Sequence, residues 1–232
     1  MNVITVKTKE EAAKKAVEII EDVLNRGDLK SFGLATGGTM EPVYKELSKT
    51  DLDFSHVTAF NLDEYVGLTA EHPNSYAYYM KEKLFNQKVF ENTYIPNGSA
   101  EDLKAECNRY EQLLSDHPLD LQLLGVGENG HIAFNEPGTP FTSNTHVTNL
   151  TQSTIDANSP YFENKDAVPT KALTMGISSI LRARKIILLA FGEKKREALN
   201  QLFKGTVTEE CPVTILQNHP DVTVITDLND LS

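Results

Sequence analysis

Short apolar runs alternate with amphipathic stretches along the whole chain, and this alternation constrains the fold more than any other feature. Runs such as SFGLAT (31–36), DLQLLGV (120–126) and KIILLAF (185–191) are typical of buried strands. The stretches between them carry apolar residues at three-to-four spacing, as in EEAAKKAVEIIEDVLNR (10–26). Strands that alternate with helices form a mostly parallel sheet covered on both faces. We therefore predict one α/β domain over residues 1–232.

The net charge argues against some classes of partner, and the cysteine content argues against some kinds of site. The 22 basic and 33 acidic residues give a formal net charge of −11, so we expect neither nucleic acid nor membrane as a partner. Cys107 and Cys211 form no CxxC pair, which argues against a disulfide framework and a thiolate zinc site. The N-terminus lacks the apolar run of a secretory signal, and we expect a cytoplasmic protein.

The loop GVGENGHIAFNEPG (125–138) follows one of the predicted strands. Its glycines at 125, 127 and 130 spell G-x-G-x-x-G, a dinucleotide-binding motif that requires a helix directly after the loop. Pro137 and Gly138 follow too soon for such a helix, so we set the nucleotide interpretation aside.

The polar residues of this loop carry more chemistry than its glycines. His131 can exchange a proton at neutral pH. Asn129 and Glu136 stand close enough in sequence to fix the tautomer and orientation of its ring. The alternative is a surface histidine in an ordinary turn.

The stretch ATGGTMEPVY (35–44) resembles a phosphate cradle. Gly37 and Gly38 form a turn between a strand and a helix that begins near Glu41, with Thr39 placed to cap it. An ordinary strand–helix turn is the alternative. Lys195, in FGEKKREAL (191–199), could add a positive charge, unless it belongs to a solvated helix start.

A pair of acids ends another apolar strand in AFNLDEYVGL (59–68). In a closed, dry pocket the pKa of Asp63 would rise, and its strength as a base would rise with it. Alternatively, a loop acid here caps the helix that starts near Asn74. Together the three loops favour an acid–base reaction on a phosphorylated metabolite.

Five stretches, in order along the chain, resemble the glucosamine-6-phosphate deaminase family. They are LATGGTMEPVY, FNLDEYVGL with HPNSYAYYM, GVGENGHIAFNEPG, VPTKALTMGISSIL and FGEKKREAL. The resemblance implies a Rossmann-like three-layer sandwich. It also implies an enzyme that converts glucosamine 6-phosphate and water to fructose 6-phosphate and ammonia, a hydrolase acting on a C–N bond. Neither metal nor organic cofactor is expected.

The resemblance also implies a role for each candidate residue. Asp63 would be the base that moves a proton from C2 to C1 of the open-chain sugar through an enolamine. His131 would open the pyranose ring, with Asn129 and Glu136 shaping its charge and position. The amino-sugar phosphate would be held by Thr36, Gly37, Gly38, Thr39 and Lys195.

The chain departs from longer members of this family in three places. Asn129 stands where those members carry aspartate, and Pro160 stands where a phosphate-binding arginine is expected. The sequence stops at Ser232, without the extension tied to hexamers and allosteric control. We therefore expect a monomer or small homo-oligomer. We also expect a mobile lid around residues 140–165.

Two other functions compete with the deaminase. A 6-phosphogluconolactonase-type hydrolase shares the fold, but its reaction needs no proton shuttle of the kind that Asp63 suggests. A non-catalytic sugar-phosphate sensor would normally carry a DNA-binding helix-turn-helix, whereas this N-terminus leads directly into a strand and one acidic helix.

Overall fold

The structure, a computed structural model, describes residues 1–231. The strands are β1 (Asn2–Thr5), β2 (Ser31–Leu34), β3 (Thr58–Asn61), β4 (Asp63–Tyr65), β5 (Asn92–Tyr94), β6 (Leu121–Gly125), β7 (His146–Asn149), β8 (Lys171–Thr174), β9 (Lys185–Ala190) and β10 (Val222–Thr226). The α-helices are α1 (Lys9–Asn25), α2 (Glu41–Leu47), α3 (Tyr76–Met80), α4 (Leu103–Asp116), α5 (Gln152–Asn158), α6 (Ile177–Leu181) and α7 (Arg196–Lys204). Shorter 3-10 segments are Ser159–Tyr161, Lys165–Ala167, Glu193–Lys195 and Pro212–Asn218.

Seven strands form one parallel sheet in the order β1-β10-β9-β6-β2-β3-β5, with helices on both sides. From β2 the chain moves outward to β3 and β5, then returns to place β6 on the other side of β2. The direction of winding therefore reverses between β2 and β6. In open α/β sheets, ligands bind at such a reversal, outside the carboxyl ends of the strands.

The central strands are apolar because both faces of the sheet are covered. Every residue of β2 and β3 is buried, as is most of β6. Helix α1 shows how the amphipathic stretches meet this core. Thr8 accepts the N–H of Glu11 and so fixes the start of α1, whose buried side chains recur at helical spacing. The predicted α/β class and its parallel sheet are confirmed.

A second, antiparallel sheet in the order β4-β8-β7 was not predicted. Its strands have three or four residues, too few to show a period-two pattern in the sequence. Leu62 marks the change of sheet: its N–H donates to Leu34 O of the large sheet, and its carbonyl accepts from Met175 N. Asp63, the next residue, begins β4 and pairs in register with Thr174.

The helix predicted to start near Asn74 begins at Tyr76. Helix α3 ends at Met80, and a π-helical turn follows it over Lys81–Phe85. The loop after β6 leads into turns and an isolated bridge between Ile132 and Asn135, without a helix. This course excludes the strand–loop–helix unit that a dinucleotide motif requires.

Candidate active site

A cleft of about 930 Å³ opens at the carboxyl ends of β2, β3 and β6, where the winding of the sheet reverses. It is lined by eight of the nine candidate residues: Thr36, Gly37, Gly38, Thr39, Asp63, Asn129, His131 and Lys195. The ninth, Glu136, is buried directly behind Asn129. Residues from four separate loops thus meet in one place.

The TGGT loop lines the cleft as a turn after β2. Gly37 has φ +99°, a left-handed conformation that side chains rarely adopt, and its carbonyl accepts a hydrogen bond from Tyr79 Oη (2.9 Å). The prediction that Thr39 caps α2 is wrong. Met40 occupies the N-cap position of α2, and no side-chain hydrogen bond caps this helix. The N–H of Met40 closes a turn onto Gly37 O. Thr39 lies in that turn.

The two lysines after β9 differ in their surroundings. Lys194 is exposed and forms an ion pair with Glu128 at 3.3 Å. Both lysines line the cleft, but only Lys195 is half-buried. Burial lowers the pKa of Lys195, and the neighbouring Glu128 opposes this shift. Lys195 therefore brings a partly buried cation to the cleft, whereas Lys194 is an exposed cation paired with Glu128.

Asp63 is a carboxyl group held almost entirely out of water. It is 6% exposed, and within residues 1–231 no group donates a hydrogen bond to it. Burial, assisted by the charge of the adjacent Glu64, raises its pKa from 3.8 to about 8. A carboxyl group with this pKa can both release and accept a proton near neutrality.

Glu64 has the capping role that was the alternative for this pair of acids. Its carboxylate accepts the N–H groups of Tyr76 (3.0 Å) and Ala77 (2.9 Å) at the start of α3, and also that of Tyr65 (2.8 Å). Burial raises the pKa of Glu64, and these three hydrogen bonds oppose the shift. The pair is thus divided: Glu64 fixes α3, and Asp63 lines the cleft.

Hydrogen bonds fix the tautomer of His131. Asn129 Nδ2 donates to Glu136 Oε2 (3.0 Å), so the amide oxygen Oδ1 faces His131 Nδ1 at 2.7 Å. An amide oxygen only accepts, and Nδ1 must therefore carry a proton. In the neutral ring the lone pair then lies on Nε2, which is the atom able to act as a base.

Glu136 is the anion behind this histidine. Burial alone would raise its pKa, but hydrogen bonding and charge attraction from His131, together with hydrogen bonds from Thr154 and Asn129, lower it to about 2. Its Oε2 also lies 3.5 Å from His131 Nδ1. Glu136 is therefore ionised throughout the neutral range.

Two glycines of the G-x-G-x-x-G sequence make room for neighbouring side chains. A Cβ atom at Gly127 would lie 2.1 Å from His131 Cε1, so the imidazole packs directly on the backbone of this residue. A Cβ atom at Gly130 would lie 2.4 Å from Cys211 Sγ, and Gly130 also has φ +84°. Close packing of the histidine loop explains these two glycines.

Several cleft residues were missed by sequence reasoning. Tyr76 lies beneath the cleft, with its hydroxyl 3.3 Å from that of Tyr65. Thr154 reaches Glu136 from α5, and Tyr161 lies beside Gly38. Tyr76 belongs to HPNSYAYYM, one of the stretches that carry the family resemblance, and this was a usable signal. Thr154 and Tyr161 lie in short polar segments that gave no such signal.

Two further findings concern the described residues as a whole. Within residues 1–231 no helix is long and apolar enough to cross a membrane. In the same part of the chain, no group of three or more histidine, cysteine, aspartate or glutamate residues is arranged to hold a metal ion.

The parallel sheet and the cleft at its winding reversal define a Rossmann-like α/β protein with a site for a small molecule. Within that class, the chain belongs to the family of glucosamine-6-phosphate isomerases and 6-phosphogluconolactonases, whose model matches residues 5–225. The predicted family and fold class are confirmed.

Three known proteins show how close the similarity is. The glucosamine-6-phosphate deaminase of Listeria monocytogenes serotype 4b is 56% identical over 227 residues, which are 98% of this chain and 97% of that protein. The solved structure of a monomeric glucosamine-6-phosphate deaminase has a TM-score of 0.94 and 45% identity, covering 97% of each chain. A 6-phosphogluconolactonase from Leishmania guyanensis has a TM-score of 0.78 at 19% identity, covering 97% of this chain and 95% of the other, and shares the fold alone.

Proposed function

We propose that this protein is a glucosamine-6-phosphate deaminase, which converts glucosamine 6-phosphate and water to fructose 6-phosphate and ammonia. The observation that carries the proposal is the presence of two acid–base groups, Asp63 and His131, in one cleft with a glycine-rich loop and Lys195. A lactonase would use no base to move a proton between two carbons. The extensive identity to deaminases supports the same conclusion.

Substrate binding starts from the phosphate in this proposal. The phosphate lies against the turn formed by residues 36–39, where backbone N–H groups and threonine hydroxyls are available as donors. Lys195 supplies a positive charge on the same side of the cleft. This charge offsets the strongly negative field expected from a protein with a net charge of −11.

Ring opening follows at the other end of the sugar. His131 Nε2 takes the proton of the C1 hydroxyl and returns a proton to the ring oxygen, so that the C1–O5 bond breaks and the aldehyde forms. Glu136, ionised behind Asn129, stabilises the imidazolium that exists between these two transfers.

Isomerisation and deamination then depend on Asp63. Its carboxylate removes the proton from C2, which gives an enolamine, and a proton is delivered to C1 to give an imine at C2. Water adds to this imine and ammonia leaves, producing the C2 ketone of fructose 6-phosphate. The raised pKa makes Asp63 a stronger base than an exposed aspartate and lets it hold the proton between C2 and C1.

After ring opening, the proposed reaction is an aldose–ketose isomerisation followed by the release of ammonia. The comparisons describe isomerases and deaminases, and they do not support the narrower label of a hydrolase acting on a C–N bond.

We further infer that residues 140–165, which include β7 and α5, close over the bound sugar as a lid. A monomeric state is part of the proposal and is supported by the monomeric deaminase of similar structure. Location in the cytoplasm remains a prediction from the sequence.

The direct test follows ammonia and fructose 6-phosphate from glucosamine 6-phosphate, with no nucleotide or metal added. We expect turnover by the wild type, about a 10³-fold loss of kcat in Asp63→Asn, and wild-type rates in Asp51→Asn, whose side chain is exposed. A wild type that binds the sugar phosphate without releasing ammonia would contradict the proposal. Hydrolysis of 6-phosphogluconolactone would then identify a lactonase, and absence of both reactions would identify a sensor.

A further inference from the structure

The two carboxylate oxygens of Glu136 have separate sets of partners. Oε2 accepts Asn129 Nδ2 and faces the histidine. Oε1 accepts the hydroxyl of Thr154 in a short hydrogen bond and that of Thr151 in a longer one (3.2 Å). Both threonines belong to the start of α5. Glu136 therefore joins α5 to the histidine loop.

We propose that Thr154 is a positioning residue for His131, acting through Glu136. Without the Thr154 hydroxyl, Oε1 keeps only the longer hydrogen bond from Thr151. A carboxylate held less firmly at this oxygen can rotate about its last side-chain bond, and any rotation changes the hydrogen bond to Asn129. Asn129 in turn sets the proton position on the imidazole. The Thr154 hydroxyl, by holding Oε1, keeps the carboxylate in the plane that serves Asn129 and His131. The inference rests on the proposed role of His131 in ring opening.

The local structure of α5 supports a dedicated role for this hydroxyl. Thr154 is 5% exposed, and its backbone N–H is accepted by Thr151 Oγ1 at the helix start. Threonine is a weaker helix former than alanine by a few tenths of a kcal/mol, so its presence here brings no advantage to the helix itself. Its side chain is directed away from the helix, towards a buried anion.

A buried serine provides a matched comparison within the same chain. Ser179 donates its hydroxyl to Glu111 Oε2 (2.8 Å) and is 2% exposed. This pair ties α6 to α4 and does not line the cleft. Loss of the hydroxyl at either position leaves a carboxylate short of one hydrogen bond, but only the Thr154 hydroxyl binds the carboxylate that faces His131.

The test compares Thr154→Val, Thr154→Ser and Ser179→Ala in the full chain with glucosamine 6-phosphate as substrate. Valine keeps the shape of threonine and removes the hydroxyl. We expect Thr154→Val to lower kcat about tenfold and to change KM less than twofold. Thr154→Ser should restore kcat to within twofold of wild type, and Ser179→Ala should leave both constants unchanged. Thr154→Val and Ser179→Ala should both melt at lower temperature than wild type.

Three kinetic outcomes would overturn the inference. They are an unchanged kcat in Thr154→Val, an equal loss of kcat in Ser179→Ala, and a higher KM with unchanged kcat, which would make Thr154 a substrate contact. Should Thr154→Val fail to fold, Thr154→Ala carries the same test.

Crystal structures of the wild type and Thr154→Val separate this inference from the proposed reaction. We expect the Glu136 carboxylate to turn in the variant and its contact with Asn129 Nδ2 to lengthen. An unmoved Glu136 would overturn the positioning role even if the wild type proved to catalyse another reaction. If Glu136 moves and the wild type releases no ammonia, the proposed function fails and the positioning role stands.

Discussion

Two buried carboxyl groups of the same cleft have opposite properties. Asp63, the first residue of β4, is 6% exposed, and its pKa is raised to about 8 because it is buried beside Glu64. Glu136, in the loop after β6, is also 6% exposed, yet its pKa falls to about 2. Burial raises the pKa at both sites, so it does not explain shifts in opposite directions.

The difference lies in the donors. Glu136 accepts hydrogen bonds from Asn129 and Thr154 and faces an imidazole that can become cationic. Asp63 has no such donor within residues 1–231, and its nearest charged neighbour is another acid. One site therefore holds a permanent anion, and the other holds a group that exchanges its proton near neutrality. Such divergent environments are how enzymes assign separate acid–base roles to chemically similar groups.

The largest expected effect is on folding stability, in Asp63→Asn. The folded state binds the Asp63 proton more tightly than the unfolded state between pH 3.8 and about 8, so the free energy of unfolding decreases as pH rises through this window. The limit is about 1.4 kcal/mol per pH unit, giving a total on the order of a few kcal/mol. Asp63→Asn should be more stable than wild type at pH 8, as measured by urea unfolding.

The same unfolding series at lower pH sharpens the contrast. Glu136, whose pKa is lowered, stabilises the fold above pH 4.5, and this contribution disappears as pH falls towards 2. The raised pKa of Glu64 leaves a residual downward slope above pH 4.5 in Asp63→Asn. A stability curve for Asp63→Asn parallel to that of wild type from pH 4 to 8 would mean that Asp63 is not buried as a neutral acid.

Glu136→Gln should lower kcat about 100-fold. The neutral amide cannot stabilise an imidazolium as a carboxylate does. Its NH2 group either opposes Asn129 Nδ2 or makes the Thr154 hydroxyl accept where it now donates. Initial rates of ammonia release measure the loss. Glu101→Gln, at an exposed position, is the control and should match wild type. Equal rates in the two variants would show that the negative charge of Glu136 does not contribute to catalysis.

Gly127→Ala should lower kcat about tenfold, because its methyl group would lie 2.1 Å from His131 Cε1 and push the ring from its place. Gly33→Ala is a control for the clash itself, since its methyl group would lie 2.0 Å from Gln122 Oε1 in the sheet, outside the cleft lining, and should lower stability without lowering kcat. Steady-state kinetics of both variants measure the effect. Similar activities would show that the imidazole tolerates displacement.

The smallest expected effect is that of Asn129→Asp. The aspartate keeps an oxygen that accepts from His131 Nδ1, but it loses the amide donor to Glu136 Oε2 and places two carboxylates side by side. We therefore expect kcat to fall about threefold. Initial rates of ammonia release measure the loss. Asn218→Asp, at an exposed position outside the cleft, should match wild type. A larger loss than in Gly127→Ala would mean that the amide donor of Asn129 is essential to the site.

Much of the fold was predictable because its central strands are continuous apolar runs, which can be recognised without knowing their partners. The apolar runs at β2, β6 and β9 have both faces buried, and the polar loops that follow them face one edge of the sheet. Because loops that follow parallel strands meet at one edge of the sheet, the sequence was sufficient to predict that Thr36–Thr39, Asp63 and His131 lie near one another.

The remainder depends on pairings between distant segments. Strand β4 has three residues, and it exists because Asp63–Tyr65 pair with Ala172–Thr174, more than 100 positions away in the sequence. Thr154 and Tyr161 line the cleft because α5 and the 3-10 segment after it pack beside the loops that follow the parallel strands. Glu64 binds the start of α3, and Asp63 does not. This difference depends on where α3 lies, which the sequence pattern does not specify.

The central claim is that two carboxyl groups of one site, both almost closed to solvent, differ in protonation at neutral pH. Carbon-13 NMR of the side-chain carboxyl groups, assigned with Asp63→Asn and Glu136→Gln, measures both pKa values directly. The account predicts that Asp63 titrates at about 8 and that Glu136 remains ionised down to about 2. Titration of both groups near pH 4, as in exposed acids, would contradict it.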